Sequence, residues 1–220
     1  MKKGVILYHS NIRNIYKERW IKKSVESMIN QSDSDLHFYE INYGKENYSL
    51  LDNYNVHKKF WFKHMDNHAE AMNFILDEAF LDQCDIVFNV NLDDYYHKDR
   101  VKIQSKEMKD GNYDLISSDF CYIKEDENET DEIFHQMHIA RYAESIKENL
   151  LANHNVIAHP CVCYNKKFWF NNKYDTSKIP EEDLDLWKRS VLNGYRIKIV
   201  PDVLLYYRIH ETQITAKNRR

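Results

Sequence analysis

Along the first half of the chain, the spacing of apolar positions switches between a period of two and one near 3.6, which predicts alternating strands and helices. Gly4–Tyr8 (GVILY) is a compact apolar run of strand length. Arg19–Asn30 places Ile21, Val25, Met28 and Ile29 on one helical face. Asp33 and Ser34 break that pattern, and Leu36–Ile41 (LHFYEI) predicts a second strand, with a turn at Asn42-Tyr43-Gly44. His57–Phe62 predicts a further short strand, while Tyr48–Asn55 carries no clear pattern. Asn67–Leu81 predicts a helix whose stripe is Ala71, Phe74, Ile75, Ala79 and Leu81. Asp85–Val90 (DIVFNV) is almost continuously apolar, as in a parallel strand covered on both faces. It runs straight into Asn91-Leu92-Asp93-Asp94, and a helix is predicted over Lys98–Lys109.

The second half is less regular. Tyr113–Ile123 predicts a strand kinked at Ser117-Ser118, and the acidic stretch Lys124–Glu132 predicts a solvated loop. His135–Leu151 has weak helical spacing, and Val156–Tyr164 predicts a strand. A helix is predicted from Pro180 to Leu192, with Glu181 and Glu182 in the first turn, where carboxylates favour the dipole, and Gly194 as its stop. Ile197–Val200 and Val203–Ile209 predict two short strands separated by Pro201-Asp202. The alternation predicts a single α/β domain with a doubly wound, mostly parallel sheet flanked by helices. Ligands of such sheets bind beyond the carboxyl ends of the strands.

Composition narrows the function classes. The 220 residues suit one domain, and 31 Lys and Arg against 35 Asp and Glu leave a formal charge of -4. That balance gives no reason to expect nucleic acid or an anionic membrane as partner. Any phosphate-binding charge must be local or supplied by a metal. No apolar run approaches the roughly 18 residues of a membrane span. Met1–His9 reads as a first strand rather than a secretory signal, and Cys84, Cys121, Cys161 and Cys163 form no C-x-x-C pair. A cytoplasmic protein with reduced thiols is the expectation.

Three stretches could carry chemistry. Asp93 and Asp94 stand at the end of the apolar strand, where paired carboxylates repel and favour a bound cation such as Mg²⁺ or Mn²⁺. Equally, one of them could simply cap the next helix. Glu182-Asp183 opens the helix carrying Leu184, Trp187 and Val191; Asp183 could act as a general base if it faces a cleft, or merely favour the dipole. Arg208 and His210 share one side of an alternating strand, suited to a diphosphate or a metal, or else solvated.

Together these stretches resemble the family 2 glycosyltransferases, in the same order. Asn91-Leu92-Asp93-Asp94, Tyr96 and Arg100 match the family's D-x-D-D run with its aromatic and Arg. Glu182-Asp183 and Asp185-Leu186-Trp187-Lys188-Arg189 match its Glu-Asp pair and D-L-W-x-R helix. Asn193-Gly194-Tyr195, a Pro, and Tyr207-Arg208-x-His210 match its closing block, and Ser24–Gln31 resembles its E-S-I-L-N-Q helix. The sequence departs at Asn91, at Ile41-Asn42-Tyr43-Gly44 in place of V-D-D-G-S, and at Tyr8-His9-Ser10-Asn11 in place of P-x-Y-N.

The resemblance implies a GT-A fold and the inverting transfer of a sugar from a nucleoside diphosphate, with a UDP-sugar the favoured donor. The acceptor would be a hydroxyl-bearing molecule such as a carbohydrate. Asp93, Asp94 and His210 would hold Mn²⁺ or Mg²⁺, and Asp183 would be the base. Tyr8, Ser10, Asn42, Asn73, Asn91, Leu92 and Arg208 would line the donor site. Residues 1–110 would form the donor half, ending in the metal motif, and 111–220 the acceptor half, with Trp169, Phe170 and Trp187 as a sugar-stacking surface. A homo-oligomer is compatible with this. A non-catalytic nucleotide-sugar binder of the same fold is the alternative, motivated by Asn91 and Asn42.

Overall fold

A computed structural model describes residues 1–213, with 142 and 143 given by their backbone alone. The N-terminal apolar run forms β1 (Lys3–His9), and the next two predicted strands form β2 (Leu36–Asn42) and β3 (His57–Phe62). Between them lies α1 (Glu18–Ile29), which buries Ile21, Val25 and Met28. α2 (His68–Leu81) starts where Asn67 Oδ1 accepts the Glu70 N–H at 3.0 Å. Its buried face includes Ala71, Ile75 and Ala79, but Leu81, in the last turn, is exposed. β4 (Ile86–Asn89) is fully buried, as its unbroken apolar run predicts. β5 (Tyr95–Tyr96), α3 (Arg100–Gly111) and β6 (Leu115–Glu125) follow.

The second half departs from expectation in four places. Lys124–Glu132 is no loop but the tip of a hairpin, because β7 (Asp131–Met137) pairs antiparallel with β6, Glu125 opposite Asp131. His135–Leu151 begins in that strand and passes through a 3₁₀ turn before the short α4 (Ile146–Leu151). Val156–Tyr164 is mostly irregular, and only β8 (Cys163–Asn165) joins the sheet, just before α5 (Lys166–Asn171). After α6 (Glu182–Leu192), which begins two residues beyond Pro180, the two predicted strands are one, β9 (Ile197–Arg208). Pro201-Asp202 is accommodated as a register shift against Ser118 and Asp119, since proline cannot donate to the ladder. Gly194 ends α6 at φ +77°, a left-handed conformation that glycine adopts without strain.

The sheet runs in the order β3-β2-β1-β4-β8-β6-β9-β5, with β7 on β6. β1 pairs parallel with both β2 and β4, so the order of strands across the sheet reverses there, and the carboxyl ends of β1 and β4 mark the place where ligands of such sheets bind. β8 runs antiparallel between β4 and β6, joining both halves of the chain into one sheet. Among the described residues no helix is long and apolar enough to cross a membrane.

At the amino edge, Asp82 accepts hydrogen bonds from Lys2 (2.8 Å) and Tyr39 (2.6 Å) and pairs with Lys59 (2.8 Å). Burial alone would raise its carboxyl, but these donors outweigh burial and hold it well below the ordinary 3.8. A depressed carboxyl contributes stability that is present above 3.8 and is lost as pH falls toward the folded value. Asp82→Asn should therefore lower the melting temperature at neutral pH and flatten its decline below pH 3.8, as measured by calorimetry.

Candidate active site

Beyond β4, three side chains fix the turn that carries the acidic pair. Tyr96 Oη accepts the Asn91 N–H at 2.7 Å, and Ser24 Oγ donates to the Asn91 carbonyl at 2.9 Å. Asn91 Oδ1 accepts the Tyr8 hydroxyl at 3.0 Å, which ties the ends of β1 and β4 together. Leu92 is buried beneath the turn. The Ser24–Gln31 motif now has a physical role. Ser27 Oγ accepts the Tyr96 N–H, and Gln31 bonds the His97 carbonyl and the Val101 N–H, seating α1 on this loop and on the start of α3. α3 begins at Arg100 with Asp99 at its cap, so Asp93 and Asp94 do not cap it.

The pair divides its work. Asp93 Oδ2 meets His210 Nε2 at 3.0 Å, while Asp94 Oδ1 accepts the Arg208 N–H at 2.8 Å and its Oδ2 is buried without a partner. Burial and then the Asp93 charge push the Asp94 carboxyl well above its ordinary range, against Arg208. The Tyr16 hydroxyl faces Asp93, and burial followed by the two aspartates raises its pKa. Rings of Tyr16 and Trp20 flank His210 at centroid distances of 5.3 and 5.2 Å. His210 Nδ1 meets Thr212 Oγ1 at 2.8 Å, and Gln213 closes the turn back onto Arg208.

Arg208 itself is 1% exposed. Its Nε donates to the Asp93 carbonyl at 2.9 Å, its two terminal nitrogens bond Asp131, and its guanidinium lies 4.7 Å from the Trp20 ring. With these contacts the Arg208 guanidinium supports Asp93 from behind, and its expected place at a diphosphate remains a proposal.

The second cluster sits at the opening of α6. Glu182 Oε1 meets His68 Nε2 at 2.8 Å, and Asp183 Oδ2 accepts from Asn155 Nδ2 at 3.0 Å. Burial raises the Asp183 carboxyl, opposed by His159 and reinforced by Glu182; burial likewise lowers His159. His159 Nε2 meets the Tyr174 hydroxyl at 2.9 Å, which meets that of Tyr164 at 2.5 Å. Asp185 holds Arg189 one turn on, and Arg189 donates to the Lys173 carbonyl, which explains the D-L-W-x-R spacing. The two clusters share Asn89: its amide donates to the His159 carbonyl at 3.0 Å and approaches Asn91 Oδ1 at 3.5 Å.

Two expected donor-site residues bond the scaffold. Asn42 is fully buried, donates to the Glu46 and Tyr48 carbonyls and accepts the Gly44 N–H. A Cβ at Gly44 would come within 2.7 Å of the Asn11 nitrogen, so this turn is packed shut. Asn73 brackets the Tyr174 backbone, donating to its carbonyl and accepting its N–H. Ser10 is partly exposed at the end of β1, with its hydroxyl accepting from Asn11. Trp169 and Trp187 are completely buried, so of the expected sugar-stacking surface only Phe170 is exposed. Trp169→Ala should cost about 3–5 kcal/mol in a denaturant titration, the usual loss for a core tryptophan, and Phe170→Ala far less. Tyr16, Asn89, Asp131 and His159 are site residues that pattern reasoning missed. Asp131 was hidden in an acidic run, and Asn89 in an apolar strand.

Among the described residues no group of three or more His, Cys, Asp or Glu side chains forms a ready-made metal cage. The Asp93–His210 pair, beside the orphaned Asp94 oxygen, has donor groups that fit a divalent cation.

No protein-family model matches the chain. It is 27% identical over 207 residues to the uncharacterized glycosyltransferase MJ1057 of Methanocaldococcus jannaschii, covering 87% of this chain and 67% of that protein. Its fold matches a 1-349 fragment of S. aureus TarS at a TM-score of 0.70 and 15% identity, over 94% of this chain and 60% of that one. TarS solved in complex with UDP-GlcNAc matches equally, at 0.70. The mannosyltransferase PcManGT of Pyrobaculum calidifontis, in complex with GDP-Man and Mn2+, matches at 0.59 and 12% identity, over 92% of this chain and 56% of that one. The chain thus spans 60% of the TarS fragment's length. The fold is the GT-A glycosyltransferase fold, and the curated relative bears the name of the class that the motifs resemble.

Proposed function

We propose that the chain transfers a sugar, with inversion, from a nucleoside diphosphate sugar to a hydroxyl of a carbohydrate or similar acceptor. The observation that carries this reading is the Asp93–His210 contact beyond β4, joined through Asn89 to the His159–Asp183 cluster. A UDP-sugar is the favoured donor; TarS, of the same fold, is known in complex with UDP-GlcNAc.

Asp93 and His210 would hold Mn²⁺ or Mg²⁺, which when bound supplies Lewis-acid stabilisation to the leaving diphosphate. Asp183 takes the proton of the attacking hydroxyl as oxygen bonds to the anomeric carbon and the diphosphate departs from the opposite face. Asn155 orients the Asp183 carboxylate, and His159 supplies a nearby group that favours its ionised form. Residues 1–110 would serve the donor, with Tyr8 and Ser10 at the crevice, and 111–220 the acceptor. Asn91, with its side-chain oxygen already accepting from Tyr8, motivates the second reading, a binder without turnover.

Release of free nucleoside diphosphate from a panel of nucleotide-sugars, with Mn²⁺ and simple glycoside acceptors, decides between them. Turnover with at least one donor is expected. Saturable binding with no product from any donor would leave the binder.

A further inference from the structure

The β6–β7 hairpin, expected to be a solvated acidic loop, sends two carboxylates back into the molecule. Glu125 and Asp131 face each other across its stem. Glu125 takes Lys17, Arg19 and the Trp20 indole N–H (2.8 Å) of the segment leading into and opening α1. Asp131 takes Lys23 of α1 at 2.6 Å and both terminal nitrogens of Arg208. The side chain of Asp131 is 9% exposed and that of Arg208 is 1% exposed. Without Asp131, Arg208 would be a buried cation lacking its counter-charge, and such a group relaxes toward water.

Arg208 also bonds both members of the acidic pair, through its Nε to the Asp93 carbonyl and its N–H to Asp94 Oδ1. Trp20, fixed by Glu125, covers the guanidinium and packs against His210. We infer that Asp131 is a positioning residue: through Arg208 it holds the Asp93 turn and His210 in the geometry that receives the donor. Lys23, about half exposed, only covers the outer side of Asp131. What the clamp serves rests on the function proposed above; the clamp itself does not.

Imidazole resonances of the full chain, recorded by ¹H–¹⁵N NMR without metal or nucleotide, read the His210–Asp93 contact directly. Asp131→Asn should shift the His210 signal while those of the remote His9 and His37 stay in place. It should also weaken UDP binding, measured calorimetrically with Mn²⁺, by about 10–100-fold, the usual loss when an outer partner of a ligand is removed. Lys23→Met should change neither. Arg208→Lys keeps the charge but lacks the fork that spans Asp131 and the Asp93 carbonyl, so it should reproduce the His210 shift; it also provides the readout if Asp131→Asn does not fold. A parental His210 signal in whichever of these two variants folds would overturn the inference. Absence of UDP binding by the parent would instead count against the donor reading, with the NMR result still deciding the clamp.

Discussion

Asp183→Asn is expected to retain nucleotide binding and to lose roughly 10²–10⁴-fold in sugar transfer, the range that a positioned general base supplies. The amide keeps the size of the carboxylate and one of its two acceptor oxygens, enough for Asn155 or for the Leu184 N–H, so α6 should still open there. What disappears is the carboxylate that the proposed function assigns to take the acceptor's proton. Burial raises the Asp183 carboxyl, with Glu182 adding to it and His159 opposing. A base must be ionised to act, so turnover should rise with pH through that raised value and level off above it. The acidic limb should vanish in the variant. Binding measured by calorimetry together with product formation checks both halves: equal loss of both would mean that Asp183 builds the site rather than works in it.

The second large effect is at Asp93. Asp93→Asn keeps the main-chain carbonyl that Arg208 uses but removes the charge facing His210 and Tyr16. The expected loss is about 2–5 kcal/mol of nucleotide affinity in the presence of Mn²⁺, as for truncating one member of a buried charged pair. Without Mn²⁺ the variant and the parent should bind alike, because in the proposed function it is the cation that couples Asp93 to the diphosphate. A variant that binds UDP as tightly as the parent with Mn²⁺ would remove Asp93 from the site.

Much of the fold was legible because burial and period agree locally. β1, β2, β3, α2 and β4 follow directly from their apolar spacing. The second half resisted because its elements are specified by distant partners. The polar strand β7 pairs where β6 offers an edge, and Arg208 neutralises the Asp131 that it buries. β9 reads as two strands because Pro201 interrupts the pattern, while the parallel partner β6 carries the chain across the gap.

Site residues divide in the same way. Asp93, His210 and Asp183 stand out as ionisable groups at element ends, where sequence pattern points. The buried roles of Arg208 and Asn73 could not be read from sequence, since a side chain's partner may lie about a hundred residues away. The alternating pattern puts Arg208 and His210 on one side, but the carboxylate that Arg208 pairs with in the hairpin carries no signal in that pattern.

The most direct measurement is the thermal stability of the chain across UDP, GDP and their sugars, with and without Mn²⁺. A ligand at 100 times its Kd adds about 2.7 kcal/mol to the folded state. At least one nucleoside diphosphate should raise the melting temperature with Mn²⁺ and fail to do so in Asp93→Asn. No shift with any nucleotide at millimolar concentration would contradict a donor site at Asp93.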